Sequence, residues 1–373
     1  MIRQAAYRAA VMPGPGEPIR VESIPAPVLE PGSALLRVLY SEVCGTDVHL
    51  HHGRLAGVPY PIIPGHVSVG EIVELPTPLA DVDGRSFNIG DTVTFLDVHG
   101  TCHRCYECLV TKQTTRCPHR RVYGITYGAR DGLSGGWAEA LWMRPGVHML
   151  HLPNGLDAET FIGGGCGLVT AMHAVERADL SIGQSVAVLG VGPVGQSAVA
   201  LSAIGGADRI IAIGDPASRL DFARRMGATD VIGLDVPATE RASMIRALTD
   251  GRGVDVVIEA AGAPDAVSQA MDLVRDGGRV VVCGQYTDGG DVAINPHAQL
   301  NRKHIEVHGC WGSDFSHLYR AVRVAARNAH RVPWREMIGA RYGLDDAERA
   351  LEAVAQRRVT KAVIVPDLVA AAR

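Results

Sequence analysis

The sequence lacks any uninterrupted run of about eighteen apolar residues, the length that a membrane-spanning helix requires. Its N-terminal segment has no apolar stretch typical of a signal peptide. An excess of one charge is also missing, because 36 basic residues stand against 40 acidic ones, with a net charge of −4 and no basic stripe. These absences argue against a membrane protein and against a nucleic-acid-binding protein. We therefore expect a soluble, cytoplasmic protein with no membrane or nucleic-acid partner.

Aromatic residues are scarce, at 5% of the chain, with four Trp and five Phe. Hydrophobic residues nevertheless make up 47% of the 373 positions, which is enough to bury two cores, and a chain of this length favours two domains. Because large rings are so few, Trp311 and Tyr123 stand out as candidates for the wall of a substrate pocket.

Half of the eight cysteines lie in one short segment, TCHRCYECLVTKQTTRC. They are Cys102, Cys105, Cys108 and Cys117. Two-residue gaps let a tight turn present successive sulfurs inward, and four thiolates complete a tetrahedral zinc site without an open position. Disulfides within so short a turn would be strained, and a zinc ribbon that binds nucleic acid conflicts with the charge balance. The segment predicts a structural zinc lobe over residues 98–120.

The pattern of apolar runs and turn residues changes near the middle of the sequence. Residues 1–160 contain short β-branched runs separated by Gly- and Pro-rich turn signals, which predicts a mainly antiparallel β domain. The following segment, 161–305, alternates apolar strands, glycine turns and amphipathic helices, which predicts a parallel sheet with helices on both faces. We expect residues 306–373 to return to the first domain. The alternation of strands and helices in 161–305 predicts the α/β fold class.

A glycine-rich turn follows the apolar strand SVAVL and opens a helical pattern. Its residues are Gly190, Val191, Gly192, Pro193, Val194 and Gly195. In this strand–turn–helix context Gly190 permits the tight turn, Gly192 lets backbone approach a pyrophosphate, and Gly195 allows close packing of helix and strand. An acid roughly twenty residues further on should bind the ribose hydroxyls, and Asp215 is the candidate. The segment predicts a dinucleotide cofactor.

Three further residues form a candidate catalytic metal site. Cys44 and His66 each follow a strand-like run and are flanked by glycine, and Cys166 begins the nucleotide-binding half. Two thiolates and one imidazole with an open fourth position match the Cys₂His arrangement of catalytic zinc. A lone cysteine or histidine is more often a core or surface residue, so spacing alone leaves that alternative open. Cys283 and Cys310 are interpreted as small core residues.

Over essentially its whole length the chain resembles the zinc-dependent medium-chain dehydrogenase/reductase family, in its alcohol dehydrogenase group. The matching segments are CGTD at 44–47, GH at 65–66, the four-cysteine lobe, GCG at 165–167, GVGPVG at 190–195 and GVDVVIEAAG at 253–262. The resemblance implies a doubly wound Rossmann domain inserted in a mainly β, GroES-like catalytic domain. It also implies two zinc ions per subunit, with the catalytic one on the Cys₂His set, and we expect a homodimer or homotetramer.

The implied reaction is hydride transfer between an alcohol, or the matching aldehyde or ketone, and a nicotinamide cofactor. Thr46 resembles the hydroxyl that bonds the substrate oxygen in this family, and His49 the end of the proton relay, which runs by way of the cofactor ribose. Asp47 resembles the carboxylate near the zinc histidine, and Thr170 the hydroxyl that contacts the nicotinamide ring. One departure is Val67, because the family usually has glutamate directly after the zinc histidine.

The sequence features that bear on the cofactor and on the substrate class point in more than one direction. Gly214 occupies the nominal position of the ribose-binding acid and Asp215 lies one residue beyond it, so Arg219 could instead reach the 2′-phosphate of NADP. A carboxylate there would repel that phosphate, and we favour NAD. A polyol or amino-alcohol dehydrogenase is the nearest alternative, although such enzymes often have glutamate in place of Cys166. A zinc- and NAD-binding regulator without turnover is the alternative from another class.

Overall fold

The computed structural model describes residues 4–368. Its strands, in chain order, are β1 Ala6–Val11, β2 Arg20–Pro25, β3 Ala34–Val43, β4 Ser68–Glu74, β5 Thr92–Phe95, β6 Val98–His99, β7 Arg121–Val122, β8 Ala140–Met143, β9 Met149–His151, β10 Ser185–Leu189, β11 Arg209–Gly214, β12 Asp230–Gly233, β13 Val254–Glu259, β14 Val274–Val282, β15 Glu306–Gly309, β16 Ile338–Tyr342 and β17 Lys361–Ile364. Its helices are α1 Gly45–His51, α2 Tyr106–Leu109, α3 Ala158–Ala178, α4 Pro193–Ile204, α5 Ala217–Met226, α6 Ala238–Leu248, α7 Pro264–Leu273, α8 Phe315–Asn328 and α9 Ala347–Ala355.

The chain divides into two compact units. The first contains the described residues up to 166, together with 313–329 and the described residues from 334 onward. The second contains residues 167–312 and 330–333. The predicted boundaries at 160/161 and 305/306 each fall a few residues before the changes of unit.

The first unit is built on a sheet with the strand order β16-β17-β3-β4-β5-β9, to which β8 adds by pairing with β3. Its pairs are antiparallel except for β16 with β17, which agrees with the β texture of this part of the sequence. β3 is long and almost wholly buried, and its last residue directly precedes Cys44. This strand therefore carries the first candidate zinc ligand to the edge of the sheet.

Tyr123 belongs to the core of the first unit, so the prediction that it lines a pocket was wrong. It is fully buried, with its ring edge-on to Phe95 at 5.3 Å between centroids. Its hydroxyl donates to the carbonyl of Trp142 at 2.8 Å and accepts from the N–H of Arg144 at 2.9 Å. A tyrosine can enter a core when its hydroxyl finds such partners, and this pairing is not visible in the sequence.

The second unit contains a parallel sheet with the order β12-β11-β10-β13-β14-β15. Numbered from β10, this is the order 3-2-1-4-5-6 of a doubly wound dinucleotide-binding fold, with its switch point between β10 and β13. The central strands are buried on both faces, as the unbroken apolar runs predicted. The predicted fold class is thereby confirmed.

The assignment of residues 306–309 to the first domain was wrong. β15 pairs in parallel with β14, with Val280 opposite Val307, and forms the edge of the six-stranded sheet. An ion pair of 2.9 Å between Arg279 and Glu306 joins the same two strands. The short run IEVHG has no periodic feature that distinguishes an edge strand of one sheet from a strand of another, and pairing decides its place.

Within residues 4–368, no helix combines the length and the apolar composition needed to cross a membrane.

Candidate metal centres and cofactor loop

The four cysteines of the predicted lobe converge in the structure. Their sulfurs lie within 4.8 Å of one another, and the sulfur of Cys117 is 3.6 Å from that of Cys102 and 3.9 Å from that of Cys105. A backbone N–H at Arg104 lowers the pKa of the Cys102 thiol to about 6, because an N–H directed at sulfur stabilises the thiolate. Tetrahedral ligands about 2.3 Å from a zinc ion are spaced in this range, so the set fits a closed structural site.

Cys44, His66 and Cys166 form a second converging set, and all three lie in the first unit. Their ligand atoms lie within 4.8 Å of one another, with 3.8 Å between the Sγ of Cys44 and the Nε2 of His66. Among the described residues no fourth His, Cys, Asp or Glu joins this set. The arrangement therefore offers three ligands and leaves a tetrahedral position open.

The charges of this set also suit a cation. The hydrogen bond from Cys166 holds the pKa of Cys44 well below its usual value, and the same contact raises the pKa of the Cys166 thiol. Burial alone would lower the pKa of His66, but the negative charge of Cys44 outweighs it and raises the pKa to about 10. In the absence of a metal, shared protons therefore balance the charges of these three side chains. A divalent metal ion would take the place of those protons, because metal binding displaces protons from thiols and imidazoles. The residues present fit zinc.

Cys44 is held by the start of helix α1. It is the N-cap residue, and its Sγ accepts the N–H of Thr46 at 3.3 Å. Its own N–H donates to Oδ2 of Asp47 at 2.8 Å. The Cys44 side chain and the Asp47 carboxylate thus both accept backbone N–H groups at the start of the helix, as in a capping box. Burial, followed by the charge of Cys44, raises the pKa of Asp47 well above its usual value. Asp47 therefore orients the loop that carries Cys44.

No hydrogen bond joins the carboxylate of Asp47 to the imidazole of His66, the candidate ligand, among the described residues. The Oδ1 of Asp47 and the Nδ1 of His66 are both buried without a hydrogen-bond partner among the described residues. The fully buried carboxylate still influences the charge of His66, since it contributes to the raised pKa of that ring. The predicted place of Asp47 beside the zinc histidine remains a prediction.

Thr46 and His49 lie three residues apart on α1, so their side chains share one face of the helix. Both are partly exposed, whereas Asp47 between them is buried. Burial and the nearby Arg54 lower the pKa of His49, which favours the neutral imidazole. The helix therefore carries a partly exposed hydroxyl and a partly exposed imidazole on one face, next to the candidate ligand Cys44.

The glycines after β10 differ in what surrounds them. Gly190 has φ +102° and a Cβ there would lie 2.7 Å from the carbonyl of Ala260, so only glycine fits. A Cβ at Gly195 would lie 1.8 Å from the carbonyl oxygen of Gly190. At Gly192, the N-cap of α4, a Cβ would meet nothing within 4 Å. An open N-terminus of a helix, with Pro193 at its first turn, is suited to an anion such as a pyrophosphate.

Asp215 follows β11, whose end lies against the glycine-rich turn of residues 190–195, called the glycine loop below. The N–H of Gly190 donates to the carbonyl of Ile213 at 2.8 Å, and a Cβ on Gly214 would lie 2.4 Å from Val191. Asp215 is exposed, and Arg219 lies in the first turn of α5. Thr170, the predicted nicotinamide contact, is half-buried on α3. These positions leave the predicted cofactor roles open to experiment.

Gln196 has a structural role that was not predicted from the sequence. This fully buried side chain donates from Nε2 to the carbonyls of Val191 and Arg219, at 3.3 and 2.7 Å. It therefore ties the glycine loop to the segment after Asp215. A glutamine in the mostly apolar helix α4 was the available signal.

Sequence analysis also missed a buried ion pair, Glu42 with Lys361, at 2.8 Å. Burial raises the pKa of Glu42 even though the ammonium group of Lys361 opposes that rise. A charged residue near the end of the apolar strand ALLRVLYSEV was a signal for Glu42.

Fold and site together fit the class of zinc-binding, dinucleotide-dependent dehydrogenases: a doubly wound sheet, a glycine loop at a helix start and two sets of candidate zinc ligands. Family comparisons agree with this class. Residues 30–154 match the alcohol dehydrogenase GroES-like domain and residues 193–327 match the zinc-binding dehydrogenase domain. The chain belongs to the zinc-dependent medium-chain dehydrogenase/reductase family.

Several relatives match over nearly the whole chain. A 5-exo-hydroxycamphor dehydrogenase of Pseudomonas putida is 34% identical, over 96% of this chain and 98% of its own. An L-threonine 3-dehydrogenase of Bacillus licheniformis and a sorbitol dehydrogenase of Bacillus subtilis are each 29% identical, over 96% of this chain and 98% and 97% of their own. The family therefore includes similar chains with different alcohol substrates.

Solved structures show the same architecture. An alcohol dehydrogenase from Thermotoga maritima has a TM-score of 0.93 at 30% identity, over 97% of this chain and 100% of its own. A putative zinc-binding dehydrogenase from Sinorhizobium meliloti 1021, bound to NADP, has a TM-score of 0.84 at 27% identity, over 97% of this chain and 100% of its own. The chain is thus an oxidoreductase of the dehydrogenase class.

Proposed function

We propose that this protein is a zinc-dependent alcohol dehydrogenase that transfers hydride reversibly between a primary or secondary alcohol and NAD. The observation that carries the proposal is the Cys44–His66–Cys166 set, which supplies three zinc ligands and no fourth among the described residues. Structural zinc sites are closed by four protein ligands, whereas catalytic sites keep one position for a reacting oxygen. The same unit contains one set of each kind.

A bound zinc ion at the open site would supply Lewis-acid polarisation of an alcohol or carbonyl oxygen. In this proposal the Oγ1 of Thr46 would accept the alcohol proton, and the hydrogen bond from its backbone N–H to the Sγ of Cys44, at 3.3 Å, supports a place for Thr46 beside the zinc. Thr46 would pass its own hydroxyl proton on, by way of the cofactor ribose, to His49, whose lowered pKa favours a neutral ring that can accept it. Asp47 holds the cap that orients Cys44.

The cofactor proposal depends on the loop of the second unit. Gly192 at the start of α4 would face the pyrophosphate, with Pro193 and Val194 in the same first turn. Asp215 would bond the adenosine ribose hydroxyls and repel a 2′-phosphate, which favours NAD. The NADP-bound relative and Arg219 in the first turn of α5 support the opposite choice. The position of the carboxylate directly after β11 decides our preference for NAD.

The decisive experiment is turnover of an alcohol panel with zinc content measured on the same sample. The panel should begin with cyclic secondary alcohols, because the 34%-identical relative is named for one, and should include sorbitol and threonine. Cys166→Ala is the matched control, since it should retain the four-cysteine zinc and lose turnover. A protein that binds both zinc and NAD but reduces no cofactor with any panel member would be a regulator instead.

A polyol dehydrogenase is the second candidate function. It is favoured by the sorbitol dehydrogenase relative and opposed by the thiol at Cys166. A kcat/KM for sorbitol or a related polyol well above that for every simple alcohol would establish this alternative.

A further inference from the structure

Glu42 and Lys361 form an ion pair that is almost completely removed from solvent. The two residues are 2% and 1% exposed, and the Nζ of Lys361 lies 2.8 Å from Oε1 of Glu42. Removing two charges from water costs several kcal/mol per ion, of which their attraction returns only a part. A buried ion pair therefore need not stabilise the fold, and the role of this one lies in the groups that its hydrogen bonds order.

Those hydrogen bonds converge on the turn that presents Cys166. Oε2 of Glu42 accepts the N–H of Cys166 at 2.7 Å. The ammonium group of Lys361 donates to the carbonyls of Ile162 and Gly164, at 3.1 and 3.0 Å. Within the described part of the chain, the charged atoms of the pair therefore bond either to each other or to the five residues 162–166.

The turn itself has a conformation that requires support. α3 is kinked at Gly165, where φ is +48° and ψ is −138°. A Cβ at this position would lie 2.0 Å from Oε2 of Glu42 and 2.8 Å from Nζ of Lys361. The backbone is thus in close contact with the charged pair, and the kink sets the direction in which the next residue, Cys166, leaves the turn.

Glu42 is connected to the other two ligand segments by its backbone. It lies on β3, two residues before Cys44. Its N–H donates at 3.0 Å to the carbonyl of Val67, the residue directly after His66. Its own carbonyl accepts from Nε1 of Trp137 at 3.1 Å. One residue therefore joins the three chain segments that supply the Cys₂His set.

We propose that Glu42 and Lys361 are positioning residues for the catalytic zinc, a charged clamp that fixes Cys166 as the third ligand. Because Lys361 balances the carboxylate, the clamp orders the turn without adding net negative charge behind two thiolates. The inference rests on the proposed function, in which zinc occupies the open site. It goes beyond the ligand set, because it assigns the retention of zinc at one site to residues that do not contact the metal.

The test is the rate of zinc release to a chromogenic chelator, which separates a fast phase from the open site and a slow phase from the four-cysteine site. Removing a group that orients a ligand typically lowers metal affinity 10- to 100-fold, so we expect Glu42→Gln and the double variant Glu42→Gln/Lys361→Met to release the fast zinc more quickly by roughly the same factor. The slow phase should not change. In cobalt-substituted protein, the visible absorption of the open site should shift in the same variants.

Asp81→Asn is the matched control, because Asp81 also belongs to a buried ion pair of this unit, with His151. It should lower the melting temperature and leave both zinc phases at wild-type rates. A fast phase that stays at the wild-type rate in the Glu42 variants, whatever their melting temperature, would overturn the clamp. Should the charge-removing variants fail to fold, Glu42→Asp, which keeps both charges and shortens the reach to Cys166, decides by the same release rate. Wild-type protein with no fast-phase zinc would refute the proposed function instead.

Discussion

The Nε2 of His66 lies 3.8 Å from the Sγ of Cys44, although the two residues come from different segments of the first unit. This spacing is close to that between two ligands of one tetrahedral zinc ion, each about 2.0–2.3 Å from the metal. Neither residue is on the surface, so the pairing is a property of the fold and not of a mobile loop. The consequences can be tested at both metal sets.

We expect two zinc ions per subunit that differ in lability. Cys44→Ala should abolish turnover and lose one zinc with the fold largely intact, whereas Cys105→Ala should first lose stability or solubility, because a closed structural site contributes to folding. Elemental analysis, circular dichroism and turnover on the same samples provide the check. Cys283→Ala, at a buried cysteine outside both sets, is the control. If both ligand variants stayed folded and lost only activity, the structural role of the lobe would be wrong.

The proton path predicts unequal effects of two substitutions on α1. Thr46→Val should lower kcat for alcohol oxidation by roughly 100-fold or more, since it removes a group that moves a proton, while the affinity for NAD stays the same. His49→Gln should cost less, because water can replace the ring at a partly exposed position. Steady-state kinetics with measured cofactor binding are the check. Equal losses in both variants would contradict a terminal relay role for His49.

The relay also has a pH signature. The pKa of His49 is lowered by burial and by Arg54, so the ring is a neutral acceptor above its ordinary pKa of about 6.5 and charges only below it. As pH falls through the lowered pKa, alcohol oxidation in the wild type should decline. His49→Gln should lose that part of the decline, and a profile identical to that of the wild type would remove His49 from the path.

The parts that sequence predicted are those whose chemistry is local. Four cysteines at short spacing and a glycine turn between a strand and a helix each define their geometry within a few residues, and the structure shows both. The Cys₂His set could be proposed from its residue types and their flanking glycines, but the alternative of unrelated core residues stayed open until the family resemblance was added, because Cys44 and Cys166 have no sequence spacing that brings them together.

The parts that sequence missed depend on pairing between distant segments. β15 lies at the edge of the second sheet because its backbone groups pair with those of β14. The short sequence IEVHG does not indicate which strand it pairs with. Glu42 was visible as a charge in an apolar strand, but its partner Lys361 lies in the last strand of the fold. Tyr123 entered the core because Trp142 and Arg144 satisfy its hydroxyl. Such contacts are tertiary facts without a periodic pattern.

Gly165→Ala should be far more damaging than a glycine substitution at an uncrowded turn. Its φ of +48° already disfavours a side chain, and the new Cβ would overlap Oε2 of Glu42. Gly155→Ala is the control, because φ is +88° there and a Cβ would meet no atom within 4 Å. We expect the control to lose about 1–2 kcal/mol of unfolding free energy from backbone conformation alone. Gly165→Ala should lose more and also release the fast zinc sooner; equal losses would show that the turn can relax.

The buried cluster around His151 predicts an acid-sensitive contribution to stability. The ring nitrogens lie 2.8 Å from Asp81 and 3.0 Å from Asp91. Burial would raise the pKa of each carboxyl group, but in both the hydrogen bonds outweigh it and the pKa is lowered. The stabilisation is therefore complete above the unfolded pKa of about 3.9 and is lost as pH falls through the lowered values.

Melting temperature as a function of pH tests this cluster. Asp81→Asn should melt at a lower temperature than the wild type near neutral pH, and the difference should shrink below pH about 4, where the carboxyl groups of the unfolded chain take up protons before those of the folded protein. Asp83→Asn, an exposed acid two residues away, is the control and should have little effect on the acid limb. A gap between Asp81→Asn and wild type that stays constant down to the lowest pH would show that the charge of Asp81 does not contribute.

Cofactor choice depends on the residues directly after β11. Asp215 lies one residue beyond the nominal position of the ribose-binding acid, which Gly214 occupies with its backbone against Val191 of the glycine loop. Arg219 lies four residues further on, and Gln196 holds its carbonyl. A carboxylate at this point favours the two free hydroxyls of NAD, whereas removing it would leave the guanidinium group to attract the 2′-phosphate of NADP.

Asp215→Ala should therefore reduce the preference for NAD over NADP by at least about tenfold in kcat/KM, the change that about 1.4 kcal/mol produces. The loss should come mainly from a higher KM for NAD, because the substituted group binds the ribose and does not touch the reacting carbon. Asp221→Ala removes the same charge from an exposed position further along α5 and should leave the ratio at its wild-type value. A wild type that prefers NADP, or an unchanged ratio in Asp215→Ala, would contradict the assignment of NAD.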